Sequence, residues 1–309
     1  MLSRVAENLY WMARYKERAE NTARLINVNT NLVLDLPGNA HLGWKPIIDI
    51  LGAAEQYYSD HDDAEERKVL RYLISDQHNS FSIIHSLSLA RENCRTIRDI
   101  VPREVWESIN DAYMYARQDA QRGVTRRGRH EFMQAIIARV QTITGMMAGT
   151  MLHDDGYQFL KMGRNLERAD MTTRIIDVRS ANLLDYSHEE LTPFENIQWM
   201  SVLKSLTAYQ MYRRTVQVRV SRREVLRFLL LEQRFPRSFY HTVSEVEGCL
   251  QQLPRNDMPL MQLAKVRKKV LSVRASRLKQ EKLHQFIDQL QMGLARVHGA
   301  IDKSYFLHT

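Results

Sequence analysis

A 24-residue segment near the start of the chain occurs a second time, 150 residues later. Residues 12–35 (MARYKERAENTARLINVNTNLVLD) align without a gap to residues 162–185 (MGRNLERADMTTRIIDVRSANLLD), and 11 of the 24 positions are identical. A second block, residues 71–85, aligns with residues 227–241 at an offset of 156. Because insertions in loops make the offset between diverged copies grow slowly, the sequence predicts two copies of one structural unit.

The spacing of apolar residues within each copy is that of an α-helix. Leu9, Met12, Ala19, Ala23 and Ile26 follow one another at intervals typical of one helix face. Only 7 prolines and 12 glycines interrupt the 309 residues, so the segments between breaks are long enough for substantial helices. We therefore predict an all-α fold. It is a helical bundle of two duplicated units, residues 1–150 and 151–309, which are related by a pseudo-twofold axis and make one compact domain.

The formal net charge of +8 suits an acidic partner, a phosphate-bearing ligand or RNA, without selecting among them. Basic residues cluster in three segments, for which we predict solvated helix faces: residues 122–129, 213–227 and 265–279. Aromatic residues are poorly interleaved with these clusters, so nucleic-acid binding is the least favoured of the functions considered.

Several classes of cofactor and location are disfavoured by the sequence. Two cysteines and no Cys-His spacing give no predicted metal site, and a phosphate-binding glycine loop is lacking, so we expect no cofactor. The sequence has neither an apolar run near the roughly 18 residues of a membrane span nor the apolar core of a signal peptide. We expect a cytoplasmic protein that does not enter a membrane.

Charged and bulky apolar side chains share one face of the repeated helix. On a helical wheel Arg14, Glu17 and Arg24 fall in one arc with Tyr10 and Val28. Because a solvated face does not need apolar residues, we expect this face to be at least partly buried against other helices. Glu and Arg four positions apart are expected to form ion pairs there.

Two interpretations of the charged face remain open. The first is an internal ion-pair network that fixes the register of the helices. The second is a site where arginines hold a carboxylate or phosphate through paired hydrogen bonds. The candidate anion-binding residues are Arg14, Arg18, Arg24, Arg164, Arg168 and Arg174. Glu17 and Glu167 are the candidate catalytic acid or base, and we predict structural or supporting roles for Glu20, Asp170, His85 and His241.

A serine precedes each of two histidines by three residues in the second repeated block. Ser82 and Ser238 follow turn-like residues, so we predict helix N-caps with His85 and His241 in the first turn. A Ser–His nucleophile–base pair is disfavoured, because neither a nucleophile elbow nor an acidic third member is evident.

Three separated stretches resemble the bacterial Alpha-E family, which is named for an α-helical domain with a Glu-Arg motif. They are MLSRVAENLYWMARYKERAENTARL at the start, FLKMGRNLERADMTTRIIDV in the second copy, and ARENCRTIRDIVPREVWESIN at residues 90–110. The resemblance runs from Met1 nearly to the C-terminus and places the motif at Glu17-Arg18 and Glu167-Arg168. It implies a circularly permuted ATP-grasp protein as a neighbour or fusion partner, often with a transglutaminase-like protein nearby.

Three functions follow from the residues and the resemblance. The favoured one is a partner or accessory protein of an ATP-grasp amidoligase, which presents the carboxylate of a peptide or amino acid. The first alternative is an enzyme in its own right that uses Glu17 or Glu167 as acid or base on such a carboxylate. The second alternative is a helical protein that binds nucleic acid.

Overall fold

The computed structural model describes residues 3–35, 43–181, 188–216, 219–273 and 280–306. Within these ranges the chain forms fourteen α-helices and no β-strand, which confirms the all-α prediction. The first seven helices are α1 (Ser3–Asp35), α2 (Lys45–Leu51), α3 (Ala54–Asp60), α4 (Glu66–Ser75), α5 (Ile83–Thr96), α6 (Arg103–Val124) and α7 (Arg126–Thr150). The second seven are α8 (Asp155–Ala181), α9 (His188–Ser205), α10 (Tyr209–Thr215), α11 (Arg222–Leu231), α12 (Phe239–Leu250), α13 (Asp257–Leu271) and α14 (Gln280–Tyr305).

The helices group into two compact units, Met1–Arg164 and Asn165–Thr309. In the first unit α1 is the central helix and packs on α5 and α7, while α6 packs against α4, α5 and α7. In the second unit α13 packs against α11, α12 and α14. We call α1–α7 and α8–α14 the two halves of the chain. The last four helices of the first half, α4–α7, therefore pack in the same order as the last four of the second, α11–α14. The predicted repeat boundary after residue 150 lies at the end of α7, whereas the two compact units divide within α8, after Arg164. The boundary between the copies stays a prediction.

Matched hydrogen bonds accompany this matched order. The hydroxyl of Thr22 donates to the backbone carbonyl of Phe81 over 3.0 Å, and the hydroxyl of Thr172 donates to that of Arg237 over 2.9 Å. Each threonine thereby joins the first helix of its half to the turn that precedes the fifth. Two copies of one unit would show such contacts; their common origin and the pseudo-twofold axis stay predictions.

The start of α8 lies very close to α1 within the first unit. A Cβ atom built on Gly163 would stand 2.2 Å from the backbone carbonyl oxygen of Tyr10. Only glycine permits this approach, since side-chain atoms never come so near a backbone oxygen. The contact brings Lys161 and Arg164, at the same end of α8, next to the buried side chains of α1.

Candidate functional site

The charged face of α1 is buried, as the mixture of residue types predicts. Lys16, Glu17 and Glu20 are each no more than 1% exposed, and Glu167 of α8 is also 1% exposed. Buried charges are tolerated only where an opposite charge or several hydrogen bonds compensate them. The question at each position is therefore which partner supplies the compensation.

The candidate arginines Arg24 and Arg174 each pair with a carboxylate on their own helix. Arg24 contacts Glu20 at 2.8 Å, and Arg174 contacts Asp170 at 2.7 Å. Both pairs have the spacing of four residues that brings side chains together on a helix. Glu20 and Asp170 thus neutralise the last arginine of the repeated motif in both halves.

Arg14 and Arg18 lie against aromatic rings. The guanidinium of Arg14 is 5.0 Å from the ring of Trp11 and donates to the hydroxyl of Tyr10 over 3.4 Å. Arg18 is 5.0 Å from the ring of Phe81. An arginine over an aromatic face is stabilised by the ring quadrupole and by packing. Arg18 therefore ties α1 to the turn before α5.

The Glu-Arg pairs lie in the middle of α1 and α8. Glu17 is 0% exposed and Glu167 is 1% exposed, whereas Arg18 and Arg168 are half-buried. In both helices the glutamate is buried and the arginine that follows it is partly exposed. Glu17 and Glu167 therefore occupy equivalent places.

Arg164 lies in a different environment, beside a small cavity of the first unit. We call it the Lys16 cavity; it is lined by Ala13, Lys16, Thr144, Met147, Tyr157, Leu160, Lys161 and Arg164. Its volume is about 10 Å³, close to the space of one water molecule. The ammonium of Lys16 donates to the hydroxyl of Thr144. Three cationic side chains and no carboxylate line this space.

The guanidinium of Arg164 lacks an acceptor for one of its donors among the described residues. Its Nε atom is buried and makes no hydrogen bond there, although the side chain as a whole is half-buried. A buried N–H without an acceptor costs about 1–3 kcal/mol, so such groups are uncommon unless a ligand or water completes them. Arg164 is the candidate arginine with the clearest need for an external anion.

The two predicted serine caps are present. The Oγ atoms of Ser82 and Ser238 accept from the backbone N–H groups of His85 and His241. Each serine hydroxyl also donates to a backbone carbonyl, that of Ile74 for Ser82 and that of Glu232 for Ser238. Both hydroxyls form hydrogen bonds with backbone groups, so neither is arranged as a nucleophile beside an imidazole.

The histidines after these caps have different environments. Burial lowers the pKa of His85 below its ordinary value, and the nearby charge of Arg18 lowers it further. In His241 the Nδ1 atom lies 2.7 Å from the backbone carbonyl oxygen of Gln233. A neutral imidazole suits the place of His85, and the positions of both rings at the helix starts fit a supporting role in the packing of α5 and α12.

Comparison with known families settles the membership of the chain. Residues 1–306 match the Alpha-E family, described as a predicted alpha-helical domain with a conserved ER motif. The chain belongs to the Alpha-E family. Uncharacterised proteins of Mycobacterium bovis and of two strains of Mycobacterium tuberculosis are 23% identical to it over 269 residues. The match covers 81% of this chain but 30% of those relatives, so the chain spans about a third of their length.

No solved structure matches this Alpha-E chain. Among the described residues, no helix contains a stretch apolar and long enough to cross a membrane.

The prediction of a solvated face for residues 122–129 is wrong for Arg129. That side chain is 1% exposed, pairs with Glu66 at 2.7 Å and lies 5.2 Å from the ring of Trp44. Arg126 shares the same carboxylate at 2.8 Å. The segment lies at the start of α7, where part of it packs inward, so fewer of its charges face solvent than a basic run suggests.

Lys16, Lys161 and Thr144 were not identified from the sequence as site residues. One signal for Lys16 was available: the equivalent position in α8 is Leu166, which is 3% exposed. A lysine that replaces a buried leucine in an otherwise similar helix marks a buried charge, and thus a candidate site. Thr144 comes from α7, and no local pattern connects it with α1.

Proposed function

We propose that this Alpha-E chain binds a carboxylate or phosphate group at the Lys16 cavity, as the partner of an ATP-grasp amidoligase. The bound group belongs to a peptide or an amino acid. The single observation that carries the proposal is the grouping of Lys16, Lys161 and Arg164 around one cavity with no carboxylate in its lining.

The charge of the cavity favours an anionic ligand. A bound anion would be attracted by the three cationic side chains, and it would give the Nε atom of Arg164 an acceptor. Arginine suits this role because its planar guanidinium can donate two parallel hydrogen bonds to one carboxylate or phosphate.

The size of the cavity sets how the ligand would enter. About 10 Å³ admits a single oxygen atom rather than a whole peptide. Lys161 and Arg164 are half-buried, so rotation of their long side chains can widen the entrance. We expect the terminal carboxylate or phosphoryl oxygen to be held inside while the remainder of the ligand stays outside.

The partner role comes from the family rather than from the cavity. The resemblance implies an encoded neighbour of the circularly permuted ATP-grasp type, and such enzymes join carboxylates to amines through acyl-phosphates. An accessory protein that holds the carboxylate fits this chemistry, and a transglutaminase-like protein would act on the same peptides. A cytoplasmic location, where ATP is available, is part of the proposal.

The alternative of an independent enzyme has less support. Glu17 and Glu167 would have to reach a ligand, and neither lines the Lys16 cavity. Both are buried in the middle of their helices, where a charge network that fixes packing suffices to explain them. We therefore assign them a structural role and place the binding function at Arg164.

The first experiment tests the anion site. Thermal unfolding is measured with inorganic phosphate added at constant ionic strength, for the wild type, Arg164→Gln and the control Arg174→Gln. Arg174 is suitable because its partner is Asp170. At a phosphate concentration of about 100 times Kd, binding stabilises the folded state by about 2.7 kcal/mol. We expect this increase in the wild type and in the control but not in Arg164→Gln; an equal increase in all three would refute the site.

The second experiment tests the partnership separately. The chain and the ATP-grasp protein encoded beside it are co-expressed and purified through a tag on one of them. We expect a stable complex and ligase activity that falls when the chain is omitted. Absence of a complex together with unchanged ligase activity would reject the accessory role, and the phosphate experiment would stand independently.

A further inference from the structure

A second group of ionisable side chains joins α8 to α14 in the second unit. The Nδ1 atom of His284 lies 2.8 Å and 3.0 Å from the two carboxylate oxygens of Asp177. The Nε2 atom of the same ring lies 3.5 Å from a carboxylate oxygen of Asp288, one turn further along α14. One imidazole therefore lies between two carboxylates.

The first unit has a corresponding histidine, with amide residues at the positions of the two acids. Residues 129–147 of α7 align with residues 283–301 of α14, and His130 corresponds to His284. The Nδ1 atom of His130 lies 2.9 Å from the side-chain oxygen of Asn27, which is the equivalent of Asp177 in the repeat. The equivalent of Asp288 is Gln134. Both carboxylates of the second unit are thus amides in the first.

We propose that Asp177, His284 and Asp288 bind a divalent transition-metal ion of the Zn²⁺ class. One imidazole nitrogen and two carboxylates are ligands that Zn²⁺ accepts, and three protein ligands leave a coordination position open. The ion would cross-link α8 to α14 in the second unit. It would not depend on the anion site of the first unit.

The geometry allows such an ion with small side-chain movements. One donor atom from each of the three residues can be chosen so that all lie within 4.8 Å of one another. Bonds of about 2.0–2.2 Å require donors roughly 3–3.6 Å apart, so the side chains must close in slightly. His284 and Asp288 are 59% and 48% exposed, which leaves them room to rotate, whereas Asp177 at 16% is held in place.

Charge balance favours a metal ion over a simple ion pair. A protonated His284 carries one positive charge and faces two carboxylates. A divalent cation compensates both carboxylates while the imidazole is neutral, which is the form that coordinates metals. In the first unit Asn27 and Gln134 carry no charge, and a neutral hydrogen bond to His130 is sufficient.

The test uses the first unit as an internal control. Full-length chain, stripped with a chelator, is titrated with ZnCl₂ by isothermal calorimetry at pH 7 in a buffer that does not bind zinc. The variants are His284→Gln, the double variant Asp177→Asn with Asp288→Gln, and the control His130→Gln. Since the altered histidines are exposed, circular dichroism should show an unchanged helix content.

We expect about one equivalent of Zn²⁺ bound by the wild type and by the control, and an affinity at least about ten-fold weaker for the other two variants. The double variant reproduces the side chains of the first unit, so its loss of binding would show that the two aspartates make the site. Absence of binding to the wild type would overturn the proposal. So would equal binding by the wild type and the double variant, which would place the ion on other surface groups.

Discussion

The helices α1 and α8 share the Glu-Arg sequence but differ at two positions that matter for chemistry. Lys16 in α1 corresponds to Leu166 in α8, and Asn27 corresponds to Asp177. At the first position both side chains are buried, one as a cation and one as a hydrocarbon. Packing alone is therefore satisfied by either residue. Because the fold accepts an uncharged residue at each position, the presence of Lys16 in one helix and Asp177 in the other indicates a role other than packing.

The largest change in stability is expected when the lysine of α1 is introduced at the equivalent position of α8. We predict that Leu166→Lys destabilises the protein by about 3–5 kcal/mol, because an uncompensated ammonium would be placed at a buried position. The midpoint of urea unfolding measures the change. Unaltered stability would mean that the second half accommodates a cation as the first does, and the comparison would fail.

The reverse change, Lys16→Leu, serves as the matched control. Thr144 keeps a hydrogen bond from its hydroxyl to the backbone carbonyl of Val140, so the loss of the ammonium leaves it satisfied. Leucine is the residue that α8 has at the equivalent position, and its volume is similar to that of lysine. We expect the stabilisation by phosphate to be lost in this variant. Marked destabilisation would make Lys16 a structural residue.

The next effect concerns the close approach of α8 to α1. We predict that Gly163→Ala costs about 3 kcal/mol, at the upper end for overpacking, because the added methyl meets the rigid backbone oxygen of Tyr10. Gly145→Ala is the control: nothing lies within 4 Å of its Cβ position, so alanine should stabilise α7 by about 0.5–1 kcal/mol. Equal effects in urea unfolding would contradict the contact.

Much of the fold was predictable from local patterns. The periodicity and the gapless repeat indicate α1 and α8, and the serines mark the starts of α5 and α12, because each signal lies within a few residues of the structure it specifies. The ion pair of Glu20 with Arg24 was predictable for the same reason.

The sites were less predictable, because their residues meet only through the tertiary fold. Thr144 is 128 residues from Lys16, and Asp177 is 107 residues from His284. Arg129 is buried because it forms an ion pair with Glu66 of α4. No spacing rule for a single helix connects such pairs. The repeat in the sequence helps, because aligning the two copies shows the positions where one copy has an ionisable residue and the other does not.

A smaller effect, equal in both halves, is expected at the helix caps. Ser82→Ala and Ser238→Ala each remove an N-cap acceptor, which costs about 1–2 kcal/mol. Because both serines are fully buried and donate to a backbone carbonyl as well, the two losses should be alike. Urea unfolding of the two variants measures them. A large difference between the halves would show that the matched sequences do not make equivalent structures.

The smallest effect is a pH dependence that distinguishes His284 from its counterpart His130. The hydrogen bond and charge of Asp177 raise the pKa of His284 above its ordinary value of 6.5. A pKa raised in the folded state gives stability that is fully present below the unfolded pKa and is lost as the pH rises through the folded pKa. The contribution is small, since His284 is 59% exposed and solvent screens the pair.

Asp177→Asn isolates this contribution by making the second half resemble the first. Burial raises the pKa of Asp177 despite the opposing effect of His284, so removing its charge also removes a desolvation cost. We expect the pKa of His284, followed by NMR in the presence of a chelator, to fall toward 6.5 in the variant. His85, whose pKa is lowered by burial, should not change. An unshifted His284 would show that Asp177 does not hold the imidazole, and the cross-link between α8 and α14 would lose its basis.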